Sequence, residues 1–302
     1  MAAAAVPVGV VVLNYDGLDD TMRCLDSLDA ADPAPARVVV VDNGSADGSP
    51  EALARRCAGN AAVEFLRLDR NLGYAGGMNR GIERALAHGV DVVLLLNNDT
   101  TVRPGFLGPI AAALAAPAAA IATPRILCAD ERTIWSVGER VFYPLLVARR
   151  GRGRPDGPEF DVPRRINCVT GCAMAVRREV FAKIGLLDEA YFAYVEEIDF
   201  CKRARDAGFG FVYVPGSVVI HREAGVLGEA SPAQVHLKAR NRAWFHRKHG
   251  PALLWPVVAV WHALVMCTWA LRGVLSGTPG AVVRGTLDAL RGRMGPPAWV
   301  RP

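Results

Sequence analysis

The first hundred residues alternate short, mainly apolar runs with segments in which apolar residues recur at helical spacing. The apolar runs lie at residues 8–13, 37–42, 63–68 and 91–96. The helical patterns lie between them, at residues 19–28, 49–58 and 76–89. Apolar strands that are joined by helices predict a parallel sheet covered by helices on both faces.

The pattern is less regular in the second half of the α/β part. Residues 149–163 are rich in Arg, Gly, Pro and Asp, which predicts a loop. Residues 171–185 predict a strand, a helix and a glycine stop. Residues 195–221 predict a helix ending near Gly208, a strand through Val214 and a further segment that closes on His221.

Composition narrows the class of protein. The chain has 302 residues, of which 51% are hydrophobic and 22% charged, as in a globular protein. The net charge of +5 is not accompanied by a basic run with interleaved aromatic residues, so we expect no nucleic-acid partner. The seven cysteines form no CxxC pair, which favours inert thiols in a reducing compartment.

The C-terminal part is different in character. We divide the chain into an α/β domain over residues 1–225, with halves at about 1–100 and 101–225, and a helical tail over residues 226–302. In the tail, a basic helix is predicted from Gln234 to His249. Ala252–Leu271 follows without a formal charge, and its length could span a bilayer.

Two features argue against a simple span at Ala252–Leu271. Pro256 and His262 interrupt it, and basic residues flank both ends, so the charge bias gives no clear orientation. We predict an in-plane or re-entrant helix at the cytoplasmic face of the membrane, with the basic Lys238–Lys248 helix on anionic headgroups. The alternatives are a true span, a helix packed on the α/β domain, and a homodimer interface.

Polar residues follow each predicted strand. They are Asn14, Asp42, Asn43, Asn97, Asn98 and Asp99. Because ligands of parallel α/β sheets bind beyond the carboxyl ends of the strands, these residues predict a polar pocket. A single Asn or Asp would be explained equally well by a turn.

A glycine-bearing loop, Asp69–Gly81, opens the third predicted helix. Such loops let backbone amides and a helix N-terminus approach phosphate. The spacing of Gly73, Gly76 and Gly77 matches neither GxGxxG nor a Walker loop. A dinucleotide dehydrogenase would carry its glycines after the first strand, which here ends in the sequence NYDG, so hydride transfer is disfavoured.

Two residues are candidate metal ligands. Asp99 supplies the oxygen that Mg²⁺ or Mn²⁺ prefers, and one or two carboxylates suffice when phosphates supply the other ligands. His221 ends a strand-like run and fits Mn²⁺ better than Mg²⁺. A structural histidine is the alternative interpretation.

Three acids open a predicted helix and offer a general base. Asp199 can pair with Arg203 along the helix, which leaves Glu196 or Glu197 to face a cleft. The alternative is a solvated helix start, where acids are favoured by the helix dipole.

Together these segments resemble family 2 glycosyltransferases, in particular their rhamnosyltransferase-like bacterial branch. The resemblance covers residues 6–225 and rests on the order of VVLNYDG, VVVVDNGSADGS, NLGYAGGMNRGI, LLLNNDT, the long VTGCAMAV…ARDAGF segment and VPGSVVIH. It implies a GT-A fold, which is Rossmann-like with a mostly parallel central sheet. It also implies a nucleotide-sugar donor, a divalent cation and inversion at the anomeric carbon.

The resemblance also implies roles for individual residues. Asp42 would contact the nucleobase, and the loop Asn71–Asn79 would line the nucleotide site. Asp99 would bind the metal at the DXD position, with His221 as the late metal-binding histidine. Further residues implied on the donor side are Asn14, Asn43, Gly73, Gly77, Asn97 and Asn98; those on the donor-sugar or acceptor side are Thr170, Gly171, Asp199 and Arg203.

Two positions depart from the family pattern. Asn97 replaces the first Asp of the DXD motif, which leaves the metal fewer carboxylates. Glu196-Glu197 replaces the usual Glu-Asp, whose second member is the base, so Glu197 is the expected base and Glu196 its rival.

The sequence therefore predicts transfer of a sugar, dTDP-L-rhamnose being the expected donor, to a hydroxyl of a glycan or polyprenyl-linked glycan in cell-surface polysaccharide synthesis. A UDP-hexose donor, a small-molecule acceptor, a sugar nucleotidyltransferase and a non-catalytic binding module are the alternatives. A nucleotidyltransferase should carry a glycine-rich loop with a basic residue after the first strand, and none is present there.

Overall fold

A computed structural model describes residues 6–142, 146–222, 231–251 and 279–297, together with residues 253, 256, 260 and 264. The strands are β1 Val8–Asn14, β2 Arg37–Asp42, β3 Val63–Arg67, β4 Val92–Asn97, β5 Thr100–Val102, β6 Ile121–Cys128, β7 Ile134–Ser136, β8 Glu139–Phe142, β9 Leu146–Arg149, β10 Arg164–Ile166, β11 Ala173–Arg177 and β12 Phe211–His221. The helices are α1 Leu18–Asp29, α2 Ser49–Cys57, α3 Gly73–Ala87, α4 Leu107–Ala115, α5 Arg178–Ile184, α6 Glu196–Asp206, α7 Pro232–His249 and α8 Pro279–Leu290.

The strands form a mixed sheet in the order β10-β12-β6-β11-β4-β1-β2-β3. The half that carries the predicted strands is parallel, with β1 between β4 and β2, and β3 beyond β2. β11 enters antiparallel between β4 and β6, and β5 pairs antiparallel with the end of β12. The predicted α/β sheet is thus confirmed, and its parallel strands end at one shared edge.

Helices cover both faces because alternate strand residues point to opposite sides. Val11, Val39 and their neighbours pack with α3, α5 and α6 in one hydrophobic cluster. Val10, Val40 and their neighbours pack with α1, α2 and α4 in the other. The burial of both strand faces explains why the sequence of these strands is apolar throughout.

Helix α3 lies unusually close to the sheet. A Cβ on Gly81 would lie 2.2 Å from Val11 Cγ1, and one on Gly77 would lie 2.5 Å from Leu13 Cδ1. These glycines therefore serve close helix–sheet packing, a requirement that is independent of any phosphate.

Residues 211–221 form one long strand, where the sequence predicted a strand and a separate segment. The pairing of β12 with β6 shifts register between Val214 and Val218. Pro215 lies in this interval and has no N–H for the ladder, so a bulge carries the strand past it. The continuous strand delivers His221 to the sheet edge.

Helix α7 packs against residues 191–194 of the α/β part and against α8. Arg240 and His246 are buried, Arg247 donates to the carbonyl oxygens of Ala289 and Leu290, and Lys248 pairs with Asp188 at 2.8 Å. These residues of the Lys238–Lys248 helix make contacts within the protein, and binding of the helix to anionic headgroups stays a prediction.

Most of the predicted apolar segment Ala252–Leu271 lies outside the described residues. In the part of the chain that the structure describes, no helix is long and apolar enough to cross a membrane.

Candidate active site

The carboxyl ends of β1, β2 and β4 are joined by side-chain hydrogen bonds. Asn14 Nδ2 donates to Asp42 Oδ1 at 2.8 Å, and Thr21 Oγ1 donates to Asn14 Oδ1 at 2.7 Å. Asn98 Nδ2 donates in turn to Thr21 Oγ1 at 2.9 Å. Three of the polar residues predicted at the strand ends, Asn14, Asp42 and Asn98, thus form one network with Thr21, which joins the ends of these strands.

Asp42 lies inside this network. Its second oxygen, Oδ2, accepts the Ser45 amide at 3.1 Å, and its side chain has no exposed surface. The turn that follows needs Gly44, whose φ is +76° and whose Cβ would lie 2.6 Å from the backbone of Arg70. Asp42 thus shapes the turn, and its contact with a nucleobase stays a prediction.

The glycine-bearing loop is held by its own asparagines. The Leu72 amide donates to Asn43 Oδ1 at 2.9 Å, and the Gly73 amide donates to Asn71 Oδ1 at 2.8 Å. The Ala75 amide donates to the Phe192 carbonyl at 3.1 Å. These three amides already have acceptors, so the expectation that the loop amides cradle a phosphate is not supported at these positions.

Asn79 also faces protein. Its amide nitrogen donates to the Leu187 carbonyl at 2.9 Å and to Glu189 Oε1 at 3.0 Å, and its oxygen accepts the Leu187 amide at 3.0 Å. Asn79 therefore ties α3 to the segment before α6. Both its side-chain nitrogen and its oxygen are used in these contacts, and its role at the nucleotide site stays a prediction.

The two predicted metal ligands are brought together by strand pairing. Thr100 of β5 is paired with His221 of β12, which places Asp99 beside the histidine. Asp99 Oδ1 lies 3.2 Å from His221 Nε2, and both residues are buried. The sequence identified both residues, and the register explains how they meet.

Several polar atoms in this region have no hydrogen-bond partner among the described residues. They are Asn97 Oδ1, His221 Nδ1 and Asp99 Oδ1, the last of which lies 3.2 Å from His221 Nε2 without the geometry of a hydrogen bond. Buried polar atoms are normally paired, so orphaned acceptors around a carboxylate fit a cation. No third His, Cys, Asp or Glu completes a three-residue cluster within the described part of the chain. A cation here would take its other ligands from phosphate or water.

The environment of His221 is electrostatically unusual. Burial lowers its pKa, but the neighbouring Cys172 and Asp99 outweigh burial and raise the pKa to about 11. A histidine must be neutral to bind a metal, so the raised pKa makes cation binding at this ring compete with protonation.

Two residues that the sequence did not single out surround this pair. The Trp135 ring meets the His221 ring edge-on, with 4.5 Å between centroids. The Arg152 guanidinium lies 4.8 Å from the Trp135 ring centroid. Both come from the region between β6 and β10, where no motif marked them.

The two glutamates at the start of α6 have different environments. Glu196 is 4% exposed, and its Oε2 has no hydrogen-bond partner in the described part of the chain. Burial and then the Glu197 charge raise its pKa well above the usual range. Glu197 is only half-buried, and its Cβ lies 3.7 Å from the position of a Cβ on Gly171. Glu197 is thus the glutamate on the side of the Thr170-Gly171 turn.

Tyr74 connects the two halves of the site. Its hydroxyl donates to the Gly171 carbonyl at 2.7 Å. Burial raises the pKa of Tyr74 well above its usual value, and the charges of Glu196, Glu197 and Asp99 add to the effect. The glutamates and the Asp99–His221 pair therefore share one electrostatic environment around this phenol. Tyr74 lies in the glycine-bearing loop, but nothing in the sequence indicated that its hydroxyl would contact Gly171.

Thr170 lies in the same turn. It is buried, and its Oγ1 accepts the Cys172 amide at 3.4 Å. The structure thus brings Thr170 and Gly171 to Tyr74 and Glu197, whereas their contact with a sugar stays a prediction.

The predicted Asp199–Arg203 pair is confirmed, with 2.7 Å between Arg203 Nε and Asp199 Oδ2. Asp199 also lies 2.8 Å from Lys248 Nζ and 2.7 Å from His249 Nε2, and it has no exposed surface. Burial alone would raise its pKa, but these partners lower it strongly. The contacts of Asp199 with Lys248 and His249 tie α6 to α7, so sugar contact by Asp199 would require these contacts to open.

The sheet, its two helical layers and the polar strand ends define a GT-A glycosyltransferase fold. The chain belongs to glycosyl transferase family 2, whose family model matches residues 9–185. Over 94% of this chain and 95% of the relative, it is 30% identical to N-acetylglucosaminyl-diphospho-decaprenol L-rhamnosyltransferase of Mycobacterium tuberculosis. It is 23% identical to the dTDP-rhamnosyl transferase RfbF of Shigella flexneri, over 85% of this chain and 87% of the relative.

Solved structures support the fold. GalNAc-T7 with UDP, GalNAc and Mn²⁺ matches with a TM-score of 0.64 and 18% identity, over 81% of this chain and 48% of that chain. A mannosyltransferase from Pyrobaculum calidifontis with GDP-Man and Mn²⁺ matches with a TM-score of 0.57 and 16% identity, over 95% of this chain and 88% of that chain. At these identities the likeness concerns the fold alone.

The oxygens of Asn97 and Asp99, which make no hydrogen bond among the described residues, lead to a prediction about metal binding. Asp99→Asn keeps the shape of the side chain but removes the negative charge that a cation needs. We expect it to weaken Mn²⁺ binding at least as much as the ~10-fold that loss of an outer-shell partner causes. Calorimetric titration of Mn²⁺ in the presence of a nucleoside diphosphate measures this. Asp91→Asn, at an exposed carboxylate paired with Arg178, is the control and should bind like wild type. Equal Mn²⁺ affinity in Asp99→Asn would remove Asp99 from the metal site.

Proposed function

We propose that this protein is an inverting, metal-dependent rhamnosyltransferase that transfers L-rhamnose from dTDP-L-rhamnose to a hydroxyl of a polyprenyl-diphosphate-linked glycan. The observation that carries the proposal is the arrangement at the Gly171 turn, where the Tyr74 hydroxyl donates to Gly171 and the Glu197 side chain lies close by. The next residue, Cys172, accepts the Asn97 amide at 2.9 Å, which places this turn beside the strand end that carries the Asp99–His221 pair. The donor and the acceptor class are supported by the activities for which the mycobacterial and Shigella relatives are named.

Asp99 and His221 are the residues that would hold a divalent cation, with Asn97 Oδ1 as a third unpaired acceptor. The cation, when bound, supplies positive charge that neutralises the departing nucleoside diphosphate. The protein contributes a buried site from which bulk water is excluded, where such charges act more strongly.

Glu197 is the proposed general base. Two adjacent carboxylates resist ionising together, and burial raises the pKa of Glu196 well above its usual range, which disfavours its charged form. Glu197 is the more exposed of the two and therefore carries a negative charge at a lower free-energy cost. Such divergent environments are how paired carboxyl groups acquire different roles in enzymes.

In the proposed reaction Glu197 accepts the proton of the acceptor hydroxyl. The hydroxyl oxygen bonds to the anomeric carbon from the face opposite the leaving group. The bond from that carbon to the diphosphate oxygen breaks, and its electron pair leaves with the nucleoside diphosphate. A single displacement inverts the anomeric configuration and needs no covalent enzyme intermediate, with a transition state like that of glycoside hydrolysis.

Purified full-length protein with Mn²⁺ tests the donor. Release of nucleoside diphosphate should be fastest with dTDP-L-rhamnose and require a prenyl-diphospho-N-acetylglucosamine acceptor. UDP-glucose, UDP-GalNAc and GDP-mannose are the comparison donors, since solved relatives of the fold hold UDP or GDP-Man. Preference for a UDP-hexose would replace the donor while keeping the reaction class. Nucleotide-sugar synthesis from a sugar phosphate would replace the class with a nucleotidyltransferase.

Glu197→Gln tests the base. The amide keeps the size of the side chain but cannot accept the proton, so kcat should fall by at least ~10²-fold, the lower end of general-base effects. Donor affinity, measured by titration calorimetry, should stay near that of wild type. Glu196→Gln is the matched control and should retain most of its kcat. The reverse result for the two variants would assign the base to Glu196.

We also propose that the tail holds the site at the cytoplasmic face of the membrane, as a peripheral or re-entrant element. Three described apolar residues of this region are strongly exposed: Leu253 at 88%, Val260 at 60% and Leu264 at 56%. Exposed apolar side chains near a lipid-linked acceptor suit insertion into the headgroup boundary. The same residues could serve a homodimer, which the test below separates.

Replacing Leu253, Val260 and Leu264 together by Ser should reduce co-sedimentation with anionic vesicles, because each loses apolar area that would be buried in lipid. Val162→Ser, at a 54% exposed residue of the α/β part, is the control and should sediment like wild type. Truncation after Gly250 is a poorer test, since it removes α8 and Gly295, which contact α7. Unchanged sedimentation with a smaller particle mass in light scattering would instead indicate a dimer interface.

A further inference from the structure

The backbone immediately before the two glutamates is strained. Phe192, Tyr194 and Val195 have φ values of +64°, +71° and +78°, in the left-handed region that residues other than glycine rarely adopt. Val195 is β-branched, which makes this conformation especially unfavourable. Such conformations persist only where the surroundings impose them. We call residues 191–195 the pre-helix loop; Glu196 follows it as the first residue of α6.

Helix α7 supplies the contacts that impose this conformation. Asn241 Nδ2 lies within hydrogen-bond distance of the carbonyl oxygens of Tyr191, Ala193 and Tyr194, at 2.8, 2.7 and 2.7 Å. The two N–H groups of one buried amide are thus shared among three carbonyl groups of the pre-helix loop. A side chain with a different donor arrangement could not satisfy them in the same way.

Arg240 supports the amide from the same helix. Its Nη2 donates to the Tyr191 carbonyl at 3.0 Å and its Nε to Asn241 Oδ1 at 3.0 Å, which orients the Asn241 amide. Its Nη1 donates to the Gly295 carbonyl at 2.7 Å. Burial lowers the pKa of Arg240 to about 10. Within the described residues its guanidinium donates to uncharged oxygens, an arrangement that is unfavourable for stability alone.

The helix that carries this pair is itself held in place. A Cβ on Gly285 of α8 would lie 2.4 Å from the His236 carbonyl and 3.0 Å from the Arg240 amide, so α8 packs directly against α7. At the other end of α7, Lys248 and His249 contact Asp199 of α6. The pre-helix loop is therefore held against an anchored helix.

The opposite side of the pre-helix loop contacts the donor half of the site. The Phe192 carbonyl accepts the Ala75 amide at 3.1 Å, and a Cβ on Gly73 would lie 2.4 Å from that same oxygen. The loop is thus fixed between the glycine-bearing loop and α7. Its position sets the distance between the two halves of the site.

We propose that Arg240 and Asn241 are positioning residues, which hold the strained pre-helix loop so that Glu197 faces the Gly171 turn in the geometry that proton transfer requires. They act through the loop and touch neither donor nor acceptor. The inference rests on the proposed role of Glu197. Helix α7 would then have a part in the reaction that is separate from membrane attachment.

Asn241→Asp tests this role with a side chain of the same size. It keeps the oxygen that accepts from Arg240 but turns the donor toward the three carbonyls into an acceptor. Since misplacement of a catalytic group by about 1 Å can lower a rate ~10²-fold, we expect kcat to fall at least ~10-fold. Donor affinity should stay within ~2-fold of wild type, the scatter expected of independent sites. His236→Asn, which weakens the contact of α7 with Asp288 but does not touch the loop, is the control and should retain kcat.

The double variant Asn241→Asp/Glu197→Gln separates positioning from general destabilisation. If Asn241 acts through Glu197, the double variant should be no slower than Glu197→Gln by more than ~2-fold, because the two changes remove the same step. Multiplication of the two losses, or an unchanged kcat in folded Asn241→Asp, would overturn the inference. Circular dichroism and thermal unfolding establish that the variants are folded.

If Asn241→Asp does not fold, Arg240→Lys provides the same test, because lysine keeps the charge but cannot reproduce the planar fork. It should lower kcat with little change in donor affinity, and its loss should likewise vanish in the Glu197→Gln background. Failure of the proposed function gives a different result: Glu197→Gln alone would then retain the kcat of wild type. The same cycle with Glu196→Gln would then show whether Arg240 and Asn241 position the other glutamate.

Discussion

The antiparallel pairing of β5 with the end of β12 is the constraint on which the site depends. It places His221 opposite Thr100 and therefore beside Asp99, although the two residues belong to different halves of the α/β domain. The pairing requires β12 to run unbroken from Phe211 past Pro215, which the bulge permits. Without that register the Asp99 carboxylate and the His221 imidazole would not meet, and no cation could bind both of them.

Much of the polar edge serves architecture. Asn14 donates to Asp42 directly and is linked to Asn98 through Thr21. Asn43 and Asn71 accept hydrogen bonds from amides of the glycine loop. This separates two kinds of asparagine that look alike in the sequence: those that shape the loops and Asn97, whose buried oxygen has no partner. The glycines divide in the same way, because Gly77 and Gly81 permit close packing of α3 on β1, whereas Gly73 and Gly44 permit turns.

Helix α7 links the tail to the residues around Glu196 and Glu197. Its buried Arg240 and Asn241 hold the strained loop before Glu196, and Lys248 and His249 reach Asp199 beyond it. Of the basic residues of α7, Arg240 and His246 are buried, whereas Arg247 and Lys248 are exposed and contact Leu290 and Asp188. Helix α7 therefore supports the part of the site that contains Glu196 and Glu197.

The sequence by itself determined the parallel half of the sheet, the family and the candidates Asp99, His221, Glu196 and Glu197, because strand burial and motif order are local properties that survive without a fold. Only the tertiary structure decided which candidates meet. Tyr74, Trp135, Arg240 and Asn241 had no local signature, since their roles follow from contacts with residues far away in the chain. The same holds for the unequal burial of Glu196 and Glu197, which are adjacent in sequence and differ only in which way the helix turns them.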